Sequence, residues 1–278
     1  MSEHSNPIWA GRRPAARSLP SGVELTYVRF AALGDSATCG IGDPSEDDTW
    51  RGWARLLADA IGAGHDISFC NLAVPGSTAA DVRRDQLADA VRHHPHLASL
   101  IVGLNDTMRT TWDPAVVREN LLACAGALAA EHAVLLTVRF HDHCRVLRLP
   151  KPLARVMSRR ISALNEIYDE IHQRYGGIRV DLSEIQEVYD REFWSIDRLH
   201  PSELGHRTLA HRFAVLLRDR GLCFDPPSVT PTHPVATPLE NARWVVTQVA
   251  PWVGRRAREL GPTLARTALE RIRTWRRP

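Results

Sequence analysis

The stretch Val28-Arg29-Phe30-Ala31-Ala32-Leu33-Gly34-Asp35-Ser36 joins a short, mostly apolar run to three residues that favour turns. Such a run reads as a buried strand that ends at Gly34. Two further runs have the same form. Ile67 to Leu72 ends just before Gly76, and Leu97 to Val102 ends just before Asn105. Ser36, Gly76 and Asn105 therefore fall just past the carboxyl ends of three strands, which in open parallel α/β sheets is the edge where ligands bind. Outward from this core, helical patterns run from about Trp50 to Ala63, Ala79 to His93, Pro114 to Glu131 and Leu153 to Tyr175. Strand patterns recur at Ala133 to Arg139 and Ile178 to Leu182, and Pro201 suits the first turn of a helix through Arg218. The alternation predicts an α/β chain whose parallel sheet is covered on both faces.

The residues at that edge have complementary chemistry. A serine hydroxyl is a poor nucleophile at neutral pH, so it needs a base within hydrogen-bond reach and a partner that fixes the base's tautomer. Ser36, His200 and Asp197 can fill those roles, the last two from Asp197-Arg198-Leu199-His200. A carbonyl under attack develops negative charge that preorganised N–H donors must meet. The backbone N–H groups of Ser36 and Gly76 and the side-chain amide of Asn105 are the candidates. Glycine at position 76 is expected to let the backbone approach a substrate closely. Singly, each segment is an ordinary turn or helix start. Their joint placement makes the catalytic reading.

These four blocks resemble the SGNH or GDSL-type hydrolases, esterases and lipases named for Ser, Gly, Asn and His, here Ser36, Gly76, Asn105 and His200. The first block, Ala32-Leu33-Gly34-Asp35-Ser36-Ala37-Thr38-Cys39-Gly40-Ile41-Gly42-Asp43, and the last, Asp197-Arg198-Leu199-His200-Pro201 with Gly205-His206, carry the likeness. It extends from about Tyr27 to Arg220. It implies a flavodoxin-like three-layer α/β/α sandwich, a serine esterase acting on small or medium acyl groups, and a small-molecule ester substrate. Acyl transfer and carbohydrate O-deacetylation would use the same residues. Ala37 stands where the family name has Leu, at a position without a catalytic group. The α/β-hydrolases share the order Ser, Asp, His but need a Gly-x-Ser-x-Gly elbow, and Thr38 occupies the last position here.

The 278 residues suffice for one α/β domain with extensions, and 44% hydrophobic content is ordinary for a globular chain. The organisation reads as a polar extension (1–26), a hydrolase domain (27–224), a proline-rich linker (225–238) and a basic amphipathic tail (239–278). No apolar run reaches the roughly 18 residues of a membrane span, and the first 26 residues lack a signal-peptide core. A cytoplasmic location is expected. Five cysteines, Cys39, Cys70, Cys124, Cys144 and Cys223, fit free thiols in a reducing compartment. Cys39 is the rival nucleophile. His93-His94-Pro95-His96 and His141-Asp142-His143-Cys144 could in principle ligate zinc, but a serine mechanism needs no metal and no cofactor. His141 and Arg145 are placed beside the cleft.

From Leu239 onward nine arginines face three glutamates, an excess of six positive charges on a chain whose total is +3. Residues 1–238 thus carry a net −3. Trp244, Trp252 and Trp275 sit among apolar residues at helical spacing, so the tail reads as a helical extension. Docking on the acidic domain is the favoured reading, with peripheral contact to an anionic membrane second. No nucleic-acid partner is expected, and the oligomeric state is left open. A scaffold acting through this tail is the non-enzymatic alternative.

Overall fold

The computed structural model describes residues 27–45 and 49–233. The polar extension, Glu46 to Asp48, the end of the linker and the whole basic tail, with its three tryptophans, lie outside the described residues.

Five strands form the sheet: β1 (Tyr27–Gly34), β2 (Asp66–Asn71), β3 (Leu97–Ile101), β4 (Val134–Arg139) and β5 (Ile178–Asp181). All pair in parallel in the order β2-β1-β3-β4-β5. Every residue of β3 is buried, as expected of a strand covered on both faces. Helices α2 (Gly52–Gly62) and α9 (Glu203–Arg218) pack together on one face, where Trp53 and Phe213 meet with ring centroids 5.0 Å apart. The other layer holds α4 (Leu87–Arg92), α6 (Pro114–Ala130) and α8 (Lys151–Tyr175). This is the three-layer α/β/α sandwich expected from the sequence. No described helix is long and apolar enough to cross a membrane.

The helices also secure the carboxyl ends of the strands. A strand end that outruns its neighbours leaves backbone N–H and C=O groups to be satisfied. At β1, Gln86 accepts from the Gly34 N–H and donates to the Gly34 carbonyl, both at 2.9 Å. Past β3, the Tyr168 hydroxyl accepts from the Val102 N–H (3.0 Å) and donates to its carbonyl (2.8 Å). Past β4, Asn165 does the same for Phe140 at 2.8 and 2.9 Å. Three buried polar side chains thus stand in for missing strand neighbours. They hold the three segments that lead to Ser36, to Asn105 and to His143.

Gln86 reaches Gly34 from an irregular helix. The sequence predicts one helix from Ala79 to His93. The structure has α3 (Ala79–Asp81), a π turn at Val82–Gln86 and then α4. Thr78 starts it with a capping box, its hydroxyl accepting from the Asp81 N–H while Asp81 accepts from the Thr78 N–H.

The described part of the linker is held against α9. Arg207 donates to the Ser228 carbonyl (3.1 Å) and the Thr232 hydroxyl (3.0 Å), and the His211 ring meets the Pro227 carbonyl at 2.9 Å.

Candidate active site

Each candidate sits in a short, tightly bonded turn. Ser36 opens the four-residue helix α1 (Ser36–Cys39), whose cap Asp35 accepts from the Ala37 N–H at 3.1 Å. Asn105 lies in α5 (Leu104–Thr107), directly past β3. His200 follows a bend in which Arg198 has φ +56°, a left-handed conformation uncommon for a residue with a Cβ. That bend turns Asp197 back on its own loop. Its Oδ1 accepts from the Leu199 N–H (2.8 Å) and the His200 N–H (3.0 Å), leaving Oδ2 to meet His200 Nδ1 at 2.7 Å.

The electrostatics of this pair follow from its bonds. Burial would raise the pKa of Asp197, but the hydrogen bond and charge of His200, with the two backbone N–H groups, hold it below the usual range. An ionised Asp197 fixes His200 with its proton on Nδ1 and leaves Nε2 as the base. Ser36, Asn105 and His200 then line one solvent-open cleft, with Leu104, Met108, Leu147, Met157, Ile161 and Leu199 supplying its apolar surface.

Two of the oxyanion candidates are held in different ways. Asn105 Nδ2 is not idle: it donates to Asp35 Oδ2 and to the Ser77 carbonyl, both at 3.1 Å. An oxyanion would share or displace one of these bonds. Gly76 has φ +83°, and a Cβ built on it meets no atom within 4 Å among the described residues. Backbone conformation, not crowding by the protein, is what demands glycine there. At Gly42, where φ is +109°, crowding adds to the backbone demand, since a Cβ would lie 1.9 Å from the Pro201 carbonyl oxygen. The nucleophile block and the His200-Pro201 loop touch at that point.

The family whose model matches residues 32–208 is described as the GDSL-like lipase/acylhydrolase family. The chain belongs to the GDSL-like lipase/acylhydrolase family. The acetylxylan esterase of Geobacillus stearothermophilus is 22% identical over 209 residues, spanning 69% of this chain and 93% of that protein. The lipase/acylhydrolase from Enterococcus faecalis has a similar fold (TM-score 0.55, 20% identity), over 72% of this chain and 99% of that one. So does the esterase EstA from Pseudoalteromonas sp. (TM-score 0.55, 17% identity), over 69% and 97%. The chain is a carboxylic ester hydrolase of the SGNH type, and the scaffold reading of the sequence gives way to an enzyme.

Several residues around the site of this GDSL-like hydrolase carried no role in the sequence reading. Asp35 and Asp106 are buried carboxyls, each pushed up to about 6 chiefly by burial. Asp106 accepts from the Ala79 N–H at 3.1 Å, tying α5 to the start of α3. Gln86 also donates to Ser77 Oγ at 3.3 Å, next to Gly76. A lone glutamine on an apolar helix face was the available signal. The cleft takes His143 and Leu147 from the His141 to Pro150 loop, not the His141 and Arg145 expected there. Arg145 is exposed and lies 3.8 Å over the Tyr189 ring. Cys39 is a weak rival nucleophile, because burial and the nearby Asp35 carboxylate raise its thiol pKa.

Four other histidines have partners of their own. His206 is fully buried; its Nδ1 accepts from the Trp53 N–H (3.2 Å) and its Nε2 donates to the Ile41 carbonyl (3.0 Å). Burial keeps it neutral, with a pKa lowered to about 4. His93, His94 and His96 turn to Ser68, Glu131 and Arg29 respectively. Among the described residues, Asp43, Glu203 and His233 bring three potential metal ligands within 4.8 Å. Arg51 already bridges the two carboxylates, to Asp43 at 2.9 Å and Glu203 at 3.0 Å.

Proposed function

We propose that this hydrolase cleaves esters of small or medium acyl groups through an acyl-enzyme on Ser36. The Ser36 hydroxyl attacks the ester carbonyl as His200 Nε2 takes its proton. Asp197 holds the imidazole in place and stabilises its charge. The N–H groups of Ser36 and Gly76 and the amide of Asn105 receive the oxyanion. When the tetrahedral species collapses, His200 returns the proton to the departing alcohol, and a water activated by the same histidine frees the acid. The observation that carries this reading is the 2.7 Å bond between His200 and Asp197 at a cleft that Ser36 and Asn105 also line. The apolar side chains at that cleft favour a short acyl chain over a charged one. Thioesters would meet the same groups.

A second reading, O-deacetylation of a carbohydrate, is favoured by the similarity to an acetylxylan esterase along nearly all of that protein's length. The five cysteines are all free thiols, which suits a reducing compartment. For the tail, docking on the acidic domain remains the proposal.

The test is a chain-length series of p-nitrophenyl esters with a fluorophosphonate probe. Turnover should peak at short acyl chains, and labelling should be lost in Ser36→Ala. Labelling that persists in that variant would move the nucleophile elsewhere, to Cys39 first.

A further inference from the structure

The loop after β4 carries His141 and His143, which the catalytic steps above do not use. Both rings are buried, and His141 Nε2 lies 2.9 Å from His143 Nδ1, so one of these nitrogens donates to the other. Trp194 packs on both rings, with centroids 5.0 and 5.1 Å away. His141 Nδ1 is sealed from solvent and has no hydrogen-bond partner among the described residues. His143 lines the cleft beside His200 and Leu199. With Nδ1 taken by His141, Nε2 is the ring nitrogen left for the cleft.

The unpartnered nitrogen decides the direction of the bond. If His143 donated, His141 would carry its proton on Nδ1, a buried N–H with no acceptor. If His141 donates, its Nδ1 is a bare lone pair. Orphaned buried N–H groups are rarer in proteins than under-satisfied acceptors, so the second arrangement prevails. His143 then accepts at Nδ1 and bears its own proton on Nε2. Burial is the main reason the ring stays neutral, its pKa lowered to about 4 with a smaller push from His200. Beside Leu147, Met157 and Leu199, His143 thus gives the cleft a neutral N–H donor separate from the Asn105 amide.

Its position indicates what it would bind. The base that accepted the serine proton hands it to the departing alcohol, so the alcohol lies against His200, on the wall that His143 shares. We propose that His143 Nε2–H forms a subsite for an acceptor oxygen, an ether or hydroxyl, on the alcohol part of the ester. This inference rests on the hydrolase mechanism above. It narrows the substrate to esters of oxygen-bearing alcohols, such as polyols and sugars, rather than of plain alkyl alcohols.

The experiment uses two acetates that differ in one atom, n-butyl acetate and 2-methoxyethyl acetate, with p-nitrophenyl acetate as a common control. The full-length protein should prefer the methoxyethyl ester in kcat/KM by about three- to tenfold beyond the ratio seen with hydroxide, the worth of one neutral hydrogen bond. That excess should appear mainly in KM, vanish in His143→Phe and survive in His143→Gln, whose amide N–H reaches the place of Nε2. An excess that persists in His143→Phe, or is absent from the wild type, overturns the subsite while p-nitrophenyl acetate turnover leaves the hydrolase reading standing. A wild type inert toward all three esters overturns the hydrolase reading and the subsite with it. Nitrogen-15 NMR of the wild type gives a check that needs no variant to fold. A His143 protonated on Nε2 supports the subsite, and one protonated on Nδ1 overturns it.

Discussion

Asp35 and Glu203 are both buried carboxylates, one beside the nucleophile and the other three residues beyond His200, yet their surroundings are opposite. Asp35 receives the Ala37 N–H and one amide bond from Asn105, and burial dominates, pushing it up to about 6. Burial pushes on Glu203 as well. There it is outweighed by bonds from Arg51, Arg207, the N–H and hydroxyl of Thr232, and the N–H and ring of His233. Its pKa falls well below the usual range. A saturated carboxylate joins parts of the chain, here α2, α9 and the linker. An under-supplied one remains responsive to charge, which suits the edge of a reaction cleft.

The largest effect that would separate the two regions is on turnover. Ser36→Ala should lower kcat by about 10⁴-fold or more with no change in melting temperature, since the hydroxyl serves chemistry and not packing. Asn105→Ala should follow, with kcat down about 10² to 10³ and KM changed less. Because Asp35 would lose its amide partner, this variant should also unfold at slightly lower urea. Steady-state kinetics and urea titration on the same samples measure both effects.

Glu203→Ala should do the converse. Removing the carboxylate leaves the buried Arg207 without its counter-charge and Arg51 with Asp43 alone, at a cost of about 3 kcal/mol of stability. The urea midpoint should fall, while KM for a small ester changes little. A Glu203→Ala protein as stable as the wild type would erase the contrast.

The smallest effect is a difference in sign with pH. Asp106, like Asp35, binds a proton more readily folded (about 6) than unfolded (near 3.8). Its contribution therefore favours the folded state as pH falls from 6 toward 4 and disfavours it as pH rises through that window. Wild type should gain stability relative to Asp106→Asn on acidification there, by at most about 1.4 kcal/mol per pH unit. Glu203, with a depressed pKa, contributes in full above its unfolded value of 4.5 and loses that contribution only at lower pH. Between pH 6 and 5 the difference between wild type and Glu203→Gln should therefore stay flat. Denaturant melts at several pH values test both slopes.

The sequence made the strands legible because their apolar runs are dense, and β4 at Val134–Arg139 differs by one residue from the run that begins at Ala133. Three of the candidate blocks stood out because each residue type has a distinct chemical task and lies past a strand end, and the fourth because Asp197 and His200 directly precede the helix start at Pro201. Three segments read as loops are short helices, Ser36–Cys39, Leu104–Thr107 and α7 at His143–Leu147. Four or five residues are too few to display a 3.6-residue period. Gln86, Tyr168 and Asn165 escaped for another reason. Each bonds to a backbone from 25 to 66 residues away, a separation that local pattern cannot encode. His143 was visible only as a metal candidate, since its partner and its place at the cleft depend on how the loop turns.

The π turn at Val82–Gln86 puts the geometric ideal of its helix in conflict with the site. A π turn takes one residue more than an α turn, and each residue advances the helix by about 100°. The turn at Val82–Gln86 has already absorbed one extra residue, so inserting another would leave the two ends out of phase. Either Gln86 would swing off Gly34, or the start of α3 would swing off Asp106. The segment should accept many changes of letter and very few changes of length.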